Sequence, residues 1–229
     1  MTTNIHVLAW PNLDERIVAS HRSVMEKFDL EVGYCRDQVR HGEWMNHVMA
    51  ESRADVVGFF DADCVPTNRA VVDYAISYCA NFESFIGIAQ VSNHIGLRSH
   101  IFAGPAFLFI WRKVWEQLGK PTFSEVSWPI PADVAEHFSY AAEFKLKRYK
   151  TLYPTHWERE PTTGVWHLHT YGIYGIGTHF EKGVYHLYEG RSEANIDLFE
   201  RRCREIVEGT FSTSGMKSSR DEYDGTIAP

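Results

Sequence analysis

The chain has 229 residues, 44% of them apolar, which is enough for one compact domain with a sizeable core. Its formal charge of −7 argues against a nucleic-acid surface, which would carry clustered Lys and Arg. The one compact basic stretch, residues 145–150, falls at a predicted helix end, where cations suit the macrodipole.

The first third alternates two periodicities. Residues 5–10 predict a strand, 13–28 an amphipathic helix, 30–34 a strand, 44–52 a helix and 54–60 a third strand. This β-α-β-α-β order predicts an α/β domain with a central, mostly parallel sheet flanked by helices. A helix over 69–79 and a strand over 85–91 continue it. Gly104-Pro105 opens a strand over 106–111, then a helix over 114–118 stopped by Gly119 and Pro121. A loop rich in Pro and Trp spans 121–131, a helix is predicted over 133–147 and a short strand over 149–153. Residues 156–191 are dense in aromatics, glycine and histidine. Ile196, Phe199, Cys203 and Ile206 are spaced for the buried stripe of a C-terminal helix over 192–208. The domain is expected to span residues 1–208, with a mobile polar tail over 209–229.

Cys35, Cys64, Cys79 and Cys203 show neither C-x-x-C spacing nor the density of a disulfide framework, so reduced thiols in a cytoplasmic protein are expected. Met1-Thr2-Thr3-Asn4 carries no basic leader. The longest apolar stretch, 103–111, is too short to span a bilayer, so no transmembrane segment is expected.

Asp61-Ala62-Asp63 follows directly on Val56-Val57-Gly58-Phe59-Phe60, a run that reads as a buried strand. Open α/β sheets bind ligands at such strand ends, and two carboxylates there are costly unless a cation arrives. Where the strand breaks into a turn at Cys64-Val65-Pro66-Thr67, the acids can converge on one divalent ion and its phosphate oxygens. The plainer reading makes them turn residues, with Asn68 capping the next helix.

The segment 54–63 resembles the Asp-x-Asp segment of GT-A fold glycosyltransferases, of the family 2 type, which bind a nucleotide-diphospho-sugar through a divalent metal. Ala103-Gly104-Pro105-Ala106-Phe107-Leu108-Phe109-Ile110-Trp111-Arg112 and the helix after it are similar to that family's acceptor-side strand and helix. Asp133 opens a helix where the family carries its catalytic acid. Val184-Tyr185-His186-Leu187-Tyr188 is similar to the late strand that supplies a metal-binding histidine. The likeness spans residues 5–191 and implies a single GT-A (Rossmann-like) domain. It departs at Ala132-Asp133, where many inverting members carry Glu-Asp.

The resemblance implies an enzyme that transfers a sugar from a UDP- or GDP-linked donor to a hydroxyl acceptor, a glycan or related molecule, with inversion and with Mn²⁺ or Mg²⁺. Asp63 is the expected direct metal ligand, Asp61 a ligand or a contact to ribose or metal-bound water, and His186 the third ligand, with His179 as rival. His186 also reads as a hydrogen-bonded strand histidine. Asp133 is the expected general base, with Glu136 as fallback, though the two also read as a helix-capping pair. Ala9, Trp10 and Asn12 are placed by position at base and ribose, Arg36 and Asp37 at the base edge, and His41, Gly42 and Asn46 at the diphosphate, beside Asp61 and Ala62. Trp128, Trp157 and Trp166 are candidate sugar-stacking rings or packing anchors. Two rival readings are a haloacid-dehalogenase-like Mg²⁺-dependent phosphatase with Asp61 as nucleophile, and a non-catalytic sugar- or nucleotide-binding protein of the same fold.

Overall fold

The computed structural model describes residues 1–92, 100–127, 131–158, 164–188, 190 and 192–220. The chain divides into two compact units. One comprises Met1–Pro11, Glu31–Asp61 and Val72–Leu152; the other comprises Asn12–Leu30, Ala62–Val71 and Tyr153–Pro229.

The first unit holds a six-stranded sheet. Its strands are β1 (Thr3–Leu8), β2 (Gly33–Cys35), β3 (Val56–Asp61), β5 (Phe85–Val91), β6 (Ile101–Trp111) and β7 (Lys150–Leu152), in the order β2-β1-β3-β6-β5-β7. β1 runs parallel to β2 and β3, and β7 parallel to β5; β6 alone runs against its neighbours. This is the mostly parallel α/β sheet that the alternation predicts.

Side chains alternate across a strand, so Val57 and Phe59 of β3 join Leu108 and Ile110 of β6 on one face. There they pack with Trp44, Met45, Val48 and Met49 of α2 (His41–Glu51), Val114 and Trp115 of α4 (Arg112–Gln117), and Phe138 and Ala142 of α5 (Glu136–Phe144). Phe60 points the other way, edge-on to Phe107 and Phe109. Helix α3 (Arg69–Phe82) is tied to the sheet by the Cys79 thiol, which donates to the Phe109 carbonyl at 3.2 Å.

β6 begins five residues before the predicted strand. Ile88 pairs with Gly104 and the adjacent Gly87 with Leu108, leaving Pro105 in a bulge on the β5 side, where its missing N–H costs no ladder bond. Helix α5 starts three residues later than predicted. Ala132 is held in an isolated bridge to Val126, and Ala135 has φ 66°, so residues 133–135 form a turn ahead of the helix.

The second unit is built on an antiparallel sheet of β4 (Cys64–Pro66), β8 (Pro154–Trp157), β11 (Gly177–Phe180), β12 (Val184–Leu187) and β13 (Lys217–Ser218), ordered β13-β8-β11-β12-β4. A small hairpin of β9 (Val165–His167) and β10 (Ile173–Gly175) accompanies it. Cys64–Pro66 is thus a strand, correcting the expected turn at 64–67; the turn falls at Ala62 and Asp63. Within the segment read as a tail, Lys217 and Ser218 pair with β8 while Met216 and Ser219 are buried.

Helices α1 (Glu15–Lys27) and α6 (Glu193–Glu208) belong to this unit. The Arg16 guanidinium of α1 meets Glu193, Asp197 and Glu200, which fall on one face of α6. Beneath them a buried pair forms, Arg202 Nε to Glu158 Oε1 at 2.6 Å and Nη2 to Oε2 at 3.1 Å, with the Tyr185 hydroxyl donating to the same carboxylate. All four cysteines are free thiols. Among the described residues, no helix is long and apolar enough to cross a membrane.

Candidate metal centre

In the first unit, Asp61 ends β3 opposite Leu8, at the carboxyl ends of two parallel strands. Its Oδ1 lies 3.3 Å from Nε2 of His41, the first residue of α2, so an imidazole accompanies this carboxylate. Trp10, two residues past β1, meets the His41 ring edge-on at 6.0 Å, and its indole N–H donates to the Val39 carbonyl at 2.7 Å. Ala9 is buried, with its N–H on the Cys35 carbonyl. Arg36 is half-buried just beyond β2, and Asp37 is exposed. Trp10, His41 and Asp61 therefore stand together at the strand ends.

Gly42 and Asn46 are engaged elsewhere. A Cβ on Gly42 would fall 2.4 Å from the Ser124 Cα and 2.5 Å from the Phe123 carbonyl oxygen, so its bare backbone admits that segment. The Asn46 amide donates to Thr122 and Ser124 hydroxyls, both at 3.0 Å, and its carbonyl accepts the Phe123 N–H at 2.9 Å. Together they pin residues 122–124 to α2.

In the second unit, Asp63 sits in the turn before β4. Cys64 pairs with His186 across the β4–β12 ladder, and the Leu187 N–H donates to the Asp63 carbonyl at 2.9 Å. This register leaves Nε2 of His186 3.5 Å from Oδ1 of Asp63. His186 is buried, with its ring against Tyr188 at 4.0 Å. Behind the turn, His21 of α1 is bonded to the Cys64 backbone; burial lowers its pKa to about 3, with that bond opposing and Arg22 adding to the fall. Ala62 is buried and Asn12 exposed.

The pair fits a divalent cation. Two donors held about 2.1 Å from one ion at a near-tetrahedral angle stand roughly 3.5 Å apart, and an imidazole nitrogen with a carboxylate oxygen is a donor set suited to Mn²⁺ or Zn²⁺. His179 is not part of it. In the β11–β12 ladder Thr178 opposes His186 and His179 opposes Tyr185, so the two histidines face opposite sides of the sheet. His179 instead bonds the Thr155 hydroxyl through Nδ1 at 2.8 Å, and burial, with His156 nearby, lowers its pKa to about 4.

Asp133 lies in the first unit, nearly buried, with its Oδ1 accepting the Val134 N–H at 2.8 Å. Glu136 is fully buried and accepts the Asp133 N–H at 2.8 Å and His100 Nδ1 at 3.0 Å. Burial raises the Glu136 pKa, but the bonds from His100, Asp133 and Ser92 together hold it below the usual carboxylate value. His100 is clamped on its other side by Glu143 Oε1 at 2.9 Å and stacks on Tyr140 at 4.0 Å. Sequence reading found the acids but not His100, which lies 36 residues from Glu136 and carries no local signal.

Of the candidate sugar-stacking rings, Trp157 is buried beneath Lys217. Trp166 stacks on Tyr174 and lies 5.1 Å from Tyr188, which contacts His186. Trp128 lies outside the described residues.

The chain is thus an α/β protein with an acidic strand end and, in its second unit, a carboxylate–imidazole pair of cation-ligating spacing. No protein-family model and no curated protein sequence matches it. Solved structures similar to it include A197 from STIV, with 12% identity, TM-score 0.42, and coverage of 82% of this chain and 95% of that one. Another is the mannosyltransferase PcManGT from Pyrobaculum calidifontis in complex with GDP-Man and Mn²⁺, with 12% identity, TM-score 0.45, and coverage of 66% and 54%. A third is S. aureus TarS 1-349 in complex with UDP-GlcNAc, with 11% identity, TM-score 0.43, and coverage of 92% and 71%.

Proposed function

We propose that the chain is a metal-dependent glycosyltransferase, moving a sugar from a UDP- or GDP-linked donor to a hydroxyl of a glycan or related acceptor, with inversion. The observation that carries this reading is the Asp63–His186 pair, with Asp63 two residues along the chain from Asp61. In this reading Asp63 and His186 hold the cation, and Asp61 is a further ligand or the contact to ribose or metal-bound water. When bound, Mn²⁺ or Mg²⁺ neutralises the diphosphate and the charge that develops as the glycosidic bond breaks.

The chain's own residues do the rest. Trp10, Ala9, Arg36 and Asp37 border the nucleoside at the carboxyl ends of β1 and β2, with Asn12 just beyond, and His41 orients the Asp61 carboxylate. Asp133 takes the acceptor hydroxyl proton as that oxygen attacks the anomeric carbon opposite the leaving diphosphate. Trp166, in the aromatic group that includes Tyr188, stacks on the acceptor sugar.

Calorimetry with Mn²⁺ and a panel of UDP- and GDP-sugars tests the proposal. Donor binding should require the metal and should vanish in Asp63→Asn. Affinity unaffected by chelation, or retained in that variant, refutes the metal role, and a phosphoenzyme trapped on Asp61 would replace transfer by phosphatase chemistry.

A further inference from the structure

Helix α5 ends on a non-glycine residue in the left-handed region. The Leu146 N–H donates to the Glu143 carbonyl at 2.9 Å and the Lys147 N–H to the Ala142 carbonyl at 2.8 Å, the double closure that normally places glycine at the left-handed position. Here that position is Leu146, with φ 54°. Glycine would relieve the strain and remove an apolar side chain from water, yet Leu146 is 90% exposed, and so is Phe144. Asp29 after α1 and Glu83 after α3 hold the same position with exposed polar side chains, so an apolar side chain in water is what sets Leu146 apart.

The surroundings indicate what that side chain meets. Phe144 and Leu146 alternate with Lys145 and Lys147, and Arg148 and Lys150 follow, on a chain whose formal charge is −7. Lys145 and Lys147 Nζ donate to the carbonyl and the side-chain amide of Gln117, at 3.0 and 3.2 Å, so their partners there are uncharged. Glu143, the acid next to Phe144 in sequence, receives His100 Nε2 and the Tyr149 hydroxyl on its Oε1. Ser84 donates to the Arg148 carbonyl, which brings the turn bearing Phe82, itself 67% exposed, alongside; Glu83 is the one further carboxylate in that turn.

We propose that this loop docks the protein onto an anionic lipid surface, with Phe144 and Leu146 entering between headgroups and Lys145, Lys147, Arg148 and Lys150 meeting lipid phosphates and carboxylates. Protruding apolar side chains flanked by cations suit a bilayer interface, whereas an acidic protein partner would be served by the cations alone. The overall negative charge repels such a surface, so this loop sets the orientation of approach. The inference stands independently of the glycosyltransferase reading.

The test is sedimentation of the full chain with vesicles of phosphatidylcholine, with or without about one-third phosphatidylserine. Binding to the anionic vesicles should exceed that to neutral ones by about tenfold or more, and each of Lys147→Gln and Arg148→Gln should weaken it about fivefold. Leu146→Gly should lose most of the binding with no fall in melting temperature. Should its melting temperature fall, Phe144→Ser must show the same loss in a folded chain. Equal binding to both vesicles, no binding by the unaltered chain, or full binding by the two apolar variants overturns the proposal; no binding together with capture of an acidic peptide would assign the loop to a protein partner.

Discussion

Asp63 is gripped at two points by one strand: its carbonyl accepts the Leu187 N–H at 2.9 Å, while its carboxylate lies 3.5 Å from the His186 imidazole. Backbone pairing therefore aims the two side chains proposed as ligands. Asp63→Asn preserves the turn and its volume while removing the anionic donor, so Mn²⁺ affinity should fall by about 100-fold or more with the melting curve little changed. Titration calorimetry with circular dichroism on the same samples separates the two effects.

Asp133→Asn keeps an oxygen for the Val134 N–H, so the turn before α5 should survive. Turnover should drop about 10²- to 10⁴-fold while donor affinity stays within about twofold. Full turnover in this variant would remove Asp133 as the base.

Gly42→Ala tests what the glycine is for. The added Cβ would fall 2.4 Å from backbone atoms of Ser124, which cannot yield as a flexible side chain would. Destabilisation of about 2–3 kcal/mol is expected in denaturant melts. A variant of unchanged stability that binds nucleotide poorly would instead place the glycine at the diphosphate.

Acid and base limbs of stability have separate origins. Burial lowers the His100 pKa, but its bonds to Glu136 and Glu143 more than offset this and leave it raised, so its contribution is complete below about pH 6.5 and is lost as pH rises through the folded value. Glu136, held low, contributes above its ordinary carboxylate value and fails as pH falls through its folded one. The pair is therefore most stabilising between about pH 4.5 and 6.5, and His100→Gln should flatten the decline above that window.

His21 acts in the opposite sense. Its folded pKa of about 3 means that the unfolded chain binds the proton first, so stability falls as pH drops below about 6.5, by about 2 kcal/mol at pH 5. Unfolding free energies of His21→Gln between pH 7 and 4 should lack this slope.

The parallel strands were legible because apolar runs punctuated by amphipathic helices have few other uses. The direction of β6 was not, since an apolar run carries no mark of polarity. Cys64-Val65-Pro66 read as a turn because it is short and ends in proline; β4 is an edge strand, where a missing N–H is tolerated. The acidic pair was visible from local sequence, and His186 through resemblance. His41 beside Asp61, and His100 against Glu136, arise from contacts 20 and 36 residues apart that no periodicity encodes.

The turn joining β11 to β12 closes on Gly183, at φ 105°, where a Cβ would fall 2.1 Å from the Asn68 amide nitrogen; the Thr67 N–H donates to the Gly183 carbonyl at 2.8 Å. Because side chains in a strand swap sides at every step, lengthening this hairpin by one residue would rotate the imidazole of His186 to the far side and leave Tyr185 in its stead. The proposed cation site is thus hostage to a loop that holds neither Asp63 nor His186.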